Sequence, residues 1–428
     1  MKRANAIWFV FGVWTVPVGR NALIAALDVG STKVCCFVAR PEPGGARVVG
    51  IGHQVSRGMR AGAVIDMETA ETAVRAAVDT AERMAGETVH RVYVNLTGGR
   101  PHSQLVGVEM AIAGHQISDG DIRRVLNQAQ ARTDLGDRQV IHAVPTGYSI
   151  DGSRGIHDPR GMYGARLGVN LHVVAAATGP LQNLKVVVER CHLEVADFVV
   201  SPYASALSTL VEDEKDLGVT LIDMGGGTTS IAVFYDGALV HADVVPVGGA
   251  HVTNDIARGL STPMADAERM KTLYGSAIVG PADEREMVSV PQIGEAGEDS
   301  VQQIPRSMLI GIIQPRIEET LELVRDRLKA SNADRLAGRR LVLAGGASLL
   351  TGVRELAARV LDKQVRIGRP LRVHGLADAT GGPAFAGCAG LLAYAMRKPE
   401  EAEQAPQPAV LEATGRMARI GAWIRENF

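Results

Sequence analysis

The sequence predicts an α/β protein whose lobes close on a phosphate-binding cleft, and three observations carry that expectation. Asp28-Val-Gly-Ser-Thr-Lys33 and Asp223-Met-Gly-Gly-Gly-Thr-Thr229 each end one apolar run and open another, so each reads as a β-hairpin tip. A third glycine turn, Gly345-Gly346-Ala347, follows the apolar residues 341–344. The chain has 428 residues, more than one hydrophobic core usually serves, so at least two domains with a cleft between them are expected. A single Asp-x-Gly turn is commonplace. A pair in matching context, followed by a third turn, points to a nucleoside triphosphate.

The elements follow from the pattern of apolar residues. Residues 22–28 are continuously apolar, as in a strand buried on both faces, and 34–39 repeat that character after the first turn. Residues 64–84 carry apolar side chains at helical spacing, with Asp66 as the cap, and 89–96 return to strand. From about 105 to 179 the texture changes to short strands broken by Gly, Asp and Pro, with one helix over 119–131 capped by Ser118, which reads as a separate small insert. A helix over 181–191, a strand over 195–200 and a helix over 202–210 follow. The second half then echoes the first: a strand into Asp223, a hairpin into 231–235, the turn Asp236-Gly237 and a third strand through Val245. Residues 263–274 and 307–330 read as helices, 275–306 as strands and loops, 341–344 as a buried strand, and 349–361 as a helix.

Composition narrows the function classes. Lys and Arg total 45 against 47 Asp and Glu, so no global field attracts nucleic acid, and none is expected as a partner. Cys35, Cys36, Cys191 and Cys388 show no metal-binding spacing and read as small buried hydrophobes in a reducing cytoplasm. Lys2-Arg3 and the apolar residues 6–18 imitate the front of a signal peptide, but the run is short for a membrane span and no small-x-small site follows. We read residues 1–21 as an upstream extension, with a membrane-touching segment and a true signal as the competing readings.

The glycine turns have a definite chemistry. Backbone N–H groups must come close to a polyphosphate, and glycine or serine at a hairpin tip removes the steric barrier. Gly30, Gly225, Gly226 and Gly227 supply that approach, while Ser31, Thr32, Thr228 and Thr229 add hydroxyl donors. Asp28 and Asp223, on opposite walls, are placed to hold Mg²⁺ directly or through its waters. Lys33 is a point-charge partner for a phosphate, or else faces solvent from the second strand.

These motifs, in this order, resemble the phosphate-1, phosphate-2 and adenosine motifs of the actin, Hsp70 and sugar-kinase ATPases. Within that group the chain is most similar to the bacterial cell-division FtsA family, on Ser56-Arg-Gly-Met59, His142-x-x-Pro145-x-x-Tyr148-x-x-Asp151, Asp158-Pro159-x-Gly161-Met162, Glu189-Arg-Cys191 and Val365-Arg-Ile-Gly-x-Pro370. The resemblance implies an actin-like two-lobed fold in which an SHS2-like 1C subdomain stands in place of 1B, with a C-terminal amphipathic helix. It divides the chain into an extension (1–21), subdomain 1A (22–104, 181–217 and 379–397), 1C (105–180), 2A (218–251 and 315–378), 2B (252–314), a linker (398–411) and a membrane-targeting helix (412–428). It implies ATP or ADP with Mg²⁺ as ligands, with Gly345, Gly346 and Ala347 on the adenosine side. Glu268 and Lys271 match a helix that holds the ribose and adenine, although an ordinary surface ion pair would look the same.

One departure concerns turnover. Actin-like ATPases place a Gln or Glu where this chain has Ser201, before Pro202, and a serine orients an attacking water poorly. At most a weak ATPase is therefore expected. Beyond the acidic, Pro-rich residues 399–408, Met417, Ile420, Trp423, Ile424 and Phe428 fall at helical spacing between Arg416, Arg419 and Arg425, the pattern of a helix lying on an anionic membrane surface. The family resemblance implies a peripheral protein on the cytoplasmic face of the inner membrane at the division site. It would self-associate into filaments, bind FtsZ through 2B and meet later division proteins through 1C. A sugar kinase, an Hsp70-like chaperone and an actin-like pilus-assembly protein are the competing classes. The first lacks a visible acidic base and sugar pocket, the second a β-rich peptide-binding domain, and the third would lack the C-terminal helix.

Overall fold

The computed structural model describes residues 23–133, 135–294 and 301–401, with backbone alone over 398–401. The expected extension (1–21) and the membrane-targeting helix (412–428) lie outside the described residues.

The first lobe is built on an antiparallel meander of β1 (Ile24–Val29), β2 (Lys33–Glu42) and β3 (Gly45–Val55). A small hairpin of β4 (Met59–Arg60) and β5 (Ala63–Val64) leads into α1 (Met67–Ala85), after which β6 (Arg91–Leu96) lies parallel to β1. As expected, Asp66 caps α1: its carboxylate accepts from the Glu68 and Thr69 amides at 3.1 Å each. α1 packs on β3 where that strand has no side chain. A Cβ on Gly52 would lie 1.7 Å from the Ala77 carbonyl oxygen.

The insert is an independent layer. β7 (His102–Ala111), α2 (Asp119–Ala131), β8 (Arg138–Ile150), β9 (Ser153–Ile156) and β10 (Arg166–Ala177) form an antiparallel sheet in the order β7-β10-β8-β9 with α2 across it. Its own core includes Val108, Ile122, Val125, Leu126, Leu167 and Val169. Ser118 and Asp121 close the start of α2 as a reciprocal capping box. The chain returns to the first lobe through α3 (Thr178–Arg190), β11 (Glu194–Val200), parallel to β6, and α4 (Ser201–Thr209), then leaves through α5 (Glu212–Leu217).

The second lobe repeats the plan. β12 (Val219–Met224), β13 (Thr229–Tyr235) and β14 (Ala238–Val245) form an antiparallel meander, followed by α6 (Gly249–Gly259) and α7 (Met264–Tyr274). A hairpin of β15 (Met287–Pro291) and β16 (Val301–Pro305) precedes the long α8 (Arg306–Ala330), then β17 (Arg340–Ala344), α9 (Val353–Leu361) and β18 (Gln364–Ile367). The order β14-β13-β12-β17-β18 reproduces β3-β2-β1-β6-β11, with two antiparallel pairings followed by two parallel ones in both sheets. Finally β19 (Val373–His374) joins the first sheet at β3, and α10 (Ala386–Glu401) packs on it.

The lobes share a spine. All nine residues of α4 are buried, and α10 crosses it at glycine. A Cβ on Gly390 would lie 1.7 Å from the Ala204 carbonyl oxygen, and Ser208 Oγ donates to the Ala386 carbonyl at 2.8 Å. α10 runs to Glu401, four residues into the stretch expected as linker. The expected subdomain edges at 252 and 314 fall inside α6 and α8. Three cysteines are buried as expected, but Cys191 is half-buried because it ends α3, where its thiol donates to the Val187 and Glu71 carbonyls.

Gly390→Val must push α10 off α4, and we expect it to destabilise the fold by about 3 kcal/mol or more. Denaturant unfolding checks this, and a loss below about 1 kcal/mol would show that the crossing is loose.

Candidate phosphate-binding cleft

The two turns predicted from sequence are copies of each other and touch. In the first, the Gly30 N–H donates to the Lys33 carbonyl at 2.9 Å; in the second, the Gly225 N–H donates to the Thr228 carbonyl at 2.9 Å. Their tips meet across the cleft with no room for side chains on the second. A Cβ on Gly226 would stand 2.3 Å from Thr32 Cγ2, and one on Gly227 would stand 2.4 Å from Ser31 Oγ. Ser31 Oγ in turn accepts from the Gly62 N–H at 3.0 Å, which fixes the first tip to the β4–β5 hairpin.

Between the turns lies a cavity of about 130 Å³, walled by both turns, Asp28, Asp223, Asn95, Ser201 and Gly387. The register places the acids alike, Asp28 opposite Cys35 and Asp223 opposite Ser230. Ser205 Oγ, from α4, donates to Asp223 Oδ2. Burial pushes the Asp28 carboxyl above the ordinary 3.8, with Lys33 opposing. Burial also pushes Asp223 up to about 6; the Ser205 hydrogen bond opposes this, the charge of Asp28 adds to it, and Lys33 opposes it. Two carboxylates facing one small cavity leave it electrostatically suited to a cation.

Other predicted residues are placed differently. Lys33 borders the cavity, but its ammonium donates to the Ala384 carbonyl and sits 3.7 Å over the Phe385 ring, so its charge is engaged by the 383–385 turn. That turn is fixed by the Gly345 N–H, which donates to the Pro383 carbonyl at 2.9 Å. Gly345 has φ +83° and its α-carbon faces Asp223: a Cβ there would lie 2.4 Å from Asp223 Oδ1. Gly346 borders the cavity. Thr229 does not, because its hydroxyl donates to the Val247 carbonyl at 2.8 Å and is thereby held within its own lobe.

Glu268 and Lys271 meet at a corner beside the cavity rather than in its wall. Lys271 Nζ lies 2.7 Å from Glu268 Oε2 and donates to the Gly249 carbonyl at 3.1 Å and to Thr253 Oγ1 at 2.8 Å, while Thr253 Oγ1 donates to Glu268 Oε2 at 2.5 Å. The start of α6 stands on the second turn, the Gly249 and Ala250 amides donating to the Gly225 and Gly226 carbonyls at 2.9 and 2.8 Å. Ala347 closes the corner, 3.1 Å from where a Gly249 Cβ would lie. The structure therefore brings the predicted residues to one region, most of them at the cavity and Glu268, Lys271 and Ala347 at the corner beside it.

Three residues escaped the sequence reading. Asn95 Oδ1 accepts from the Val29 N–H at 2.7 Å and its amide donates to Ser201 Oγ at 3.0 Å, so one buried side chain fixes the strand end beside Asp28 to the start of α4. A lone Asn inside an apolar strand was the available signal. Ser205 carried none, being one hydroxyl within a buried helix. Gly387 also carried none, although a Cβ there would lie 3.3 Å from Asp28 Oδ2.

Two sheets of the same order around paired hairpin turns define an actin-like α/β fold. A chain of the PilM-PilN type IV pilus biogenesis complex shares this fold with a TM-score of 0.63, at 15% identity over 89% of this chain and 99% of that one. MreB5 of Spiroplasma citri, solved bound to ADP, shares it with a TM-score of 0.53, at 14% identity over 87% and 95%. The family model described as "Cell division protein FtsA" matches residues 220–390, and that described as "SHS2 domain inserted in FTSA" matches 98–175, the inserted sheet. The cell division protein FtsA of Rhizobium meliloti (strain 1021) is 46% identical over 426 residues, 96% of each chain. This chain belongs to the FtsA family of cell-division proteins.

Because folding raises the Asp223 pKa, the folded protein holds that proton more tightly than the unfolded chain, and this contribution to stability is lost as pH rises through about 6. In protein free of nucleotide and metal, Asp223→Asn is expected to raise Tm at pH 8 by about 1–3 °C, with the gain shrinking towards pH 4. A variant less stable than the parent at pH 8 would show that the carboxylate is stabilised by its surroundings rather than strained by them.

Proposed function

We propose that this cell-division protein binds ATP between its two turns, assembles into filaments on the cytoplasmic face of the inner membrane, tethers the FtsZ ring there and helps to recruit later division proteins. The observation that carries the nucleotide part is the pair of turns with one hydrogen-bond pattern, facing each other with no Cβ on the second tip. Backbone amides at such tips suit phosphate oxygens. The cavity of about 130 Å³ is smaller than the ~300 Å³ at the low end of ordinary ligand sites, so the phosphates enter as the lobes part. The base and ribose then fall to the corner formed by Gly249, Lys271 and Ala347.

The residues present fit Mg²⁺. Asp28 and Asp223 supply two hard oxygen donors, and among the described residues no cluster of three or more metal-ligating side chains competes with them. Bound there, Mg²⁺ would neutralise charge on the phosphates. Ser201 sits at the start of α4 with its hydroxyl already held by Asn95, a poor group for orienting water. The nucleotide therefore acts chiefly on conformation and assembly.

The membrane part rests on the sequence of residues 412–428, since no helix among the described residues is long and apolar enough to cross a bilayer. The FtsZ contact at residues 252–314 and the division-protein contacts of the insert rest on family membership.

Two experiments test the reading. Purified protein is expected to turn over ATP slowly, close to background, and robust hydrolysis abolished by Asp223→Ala would contradict the assembly-ligand role. Full-length protein is expected to float with anionic liposomes and to carry FtsZ with it, whereas a chain lacking 412–428 stays at the bottom. Equal flotation without those residues would overturn the tether.

A further inference from the structure

The short helix α5, at the crossing from the first lobe to the second, has an exposed face on which Glu212 meets Arg372 and Arg397. Glu214 and Lys215 point inward and are buried, whereas Val211, Glu212, Asp213, Asp216 and Leu217 are exposed. Leu217 is 79% exposed and Val211 42%. One further exposed leucine lies towards each end of α5. Leu336, 39% exposed, lies beside Leu217: a Cβ on the adjoining Gly218 would stand 2.5 Å from its carbonyl oxygen. Leu371, 41% exposed, lies towards the start of α5: its N–H donates to the Ser208 carbonyl at 2.6 Å and the next residue, Arg372, reaches Glu212 at 3.4 Å. Among the described residues no cation pairs with Asp213 or Asp216. Exposed apolar side chains at both ends of α5, with two carboxylates without a cation between them, suit an amphipathic, basic partner.

The root of the C-terminal segment is at the same place. Arg397, near the end of α10, donates to the Glu212 carboxylate at 2.9 Å. α10 continues for four residues beyond it, about 6 Å. Residues 402–411 then have a reach of at most about 35 Å. Residues 412–428 are thus confined near α5 at an effective concentration on the order of millimolar. Their chemistry complements that face: an apolar stripe of Met417, Ile420, Trp423, Ile424 and Phe428 between Arg416, Arg419 and Arg425.

We infer that residues 412–428 dock on the α5 face of their own molecule. The apolar stripe covers Val211, Leu217 and Leu371, and the arginines meet Asp213 and Asp216. The same stripe cannot lie in a bilayer while docked, so docking and membrane binding exclude each other; this second half rests on the membrane reading above. A molecule without a membrane keeps its tail covered, and the membrane must win it from α5.

The test uses full-length protein carrying Trp8→Phe and Trp14→Phe, so that Trp423 is the only tryptophan. Without vesicles its emission is expected to be blue-shifted at every protein concentration. The uncharged pair Val211→Ser and Leu217→Ser, at exposed positions, is expected to return it to the solvent value. The same pair is expected to bind phosphatidylglycerol vesicles at on the order of tenfold lower lipid, because no docked fraction is subtracted. Solvent-like emission in the parent overturns docking, as does a blue shift untouched by the pair. A blue shift that fades on dilution overturns it too, by placing the tail on a second copy. Equal vesicle affinities overturn the competition. A shift lost in the pair while neither protein binds vesicles supports docking and removes the membrane reading instead.

Discussion

The contact between the two hairpin tips is the constraint on which the rest of the molecule depends. Ser31 and Thr32 occupy the space that side chains on Gly226 and Gly227 would need. That fit requires two sheets of one topology, brought face to face so that equivalent strand ends oppose each other. It also requires that one tip carry hydroxyls and the other none. The two acids are then delivered to the same cavity by the same register position in each sheet, and their shared burial raises both pKa values. Glycine here is a requirement of interlobe packing as much as of turn geometry.

The lobes are held by parts that are individually small. α4 contributes Ser205 to Asp223 and Ser208 to α10, and its first residue accepts from Asn95. α10 begins against Asp28 through Gly387, crosses α4 at Gly390 and, one turn before its end, places Arg397 on Glu212. One helix thus spans from the cavity to the place where the chain crosses between lobes. Arg366, on β18, adds a bidentate pair with Glu214 and a bond to the Thr209 carbonyl at 2.9 Å, so both crossings are tied to α5. A change at the cavity has a short path of packed groups to that junction.

What the sequence made legible was what repeats or what is capped. The paired turns, the third glycine turn, the start of α1 at Asp66 and α2 after Ser118 follow from local chemistry that tertiary packing did not override. β3 stayed hidden because Gly50 and Gly52 break its apolar run, and they do so to admit α1. α6 stayed hidden because it opens on Gly248 and Gly249, which offer no capping side chain; in the fold its first amides are met by carbonyls of the second turn. Asn95 ties β1 to α4 within the first lobe and Ser205 reaches Asp223 in the second, and no spacing along the chain encodes a partner more distant than a helix turn or a hairpin. Lys33 and Thr229 likewise each meet a carbonyl that only the folded chain brings near, with Lys33 still bordering the cavity.

The central claim is that one ligand is gripped by both turns at once. Amide hydrogen exchange over residues 30–33 and 225–228, with and without Mg²⁺ and ATP, tests it most directly. The account predicts that both turns slow together on addition of Mg²⁺ and ATP, and that Asp223→Ala abolishes the change at both. Slowing at one turn only, or at neither in protein that demonstrably binds the nucleotide, would contradict it.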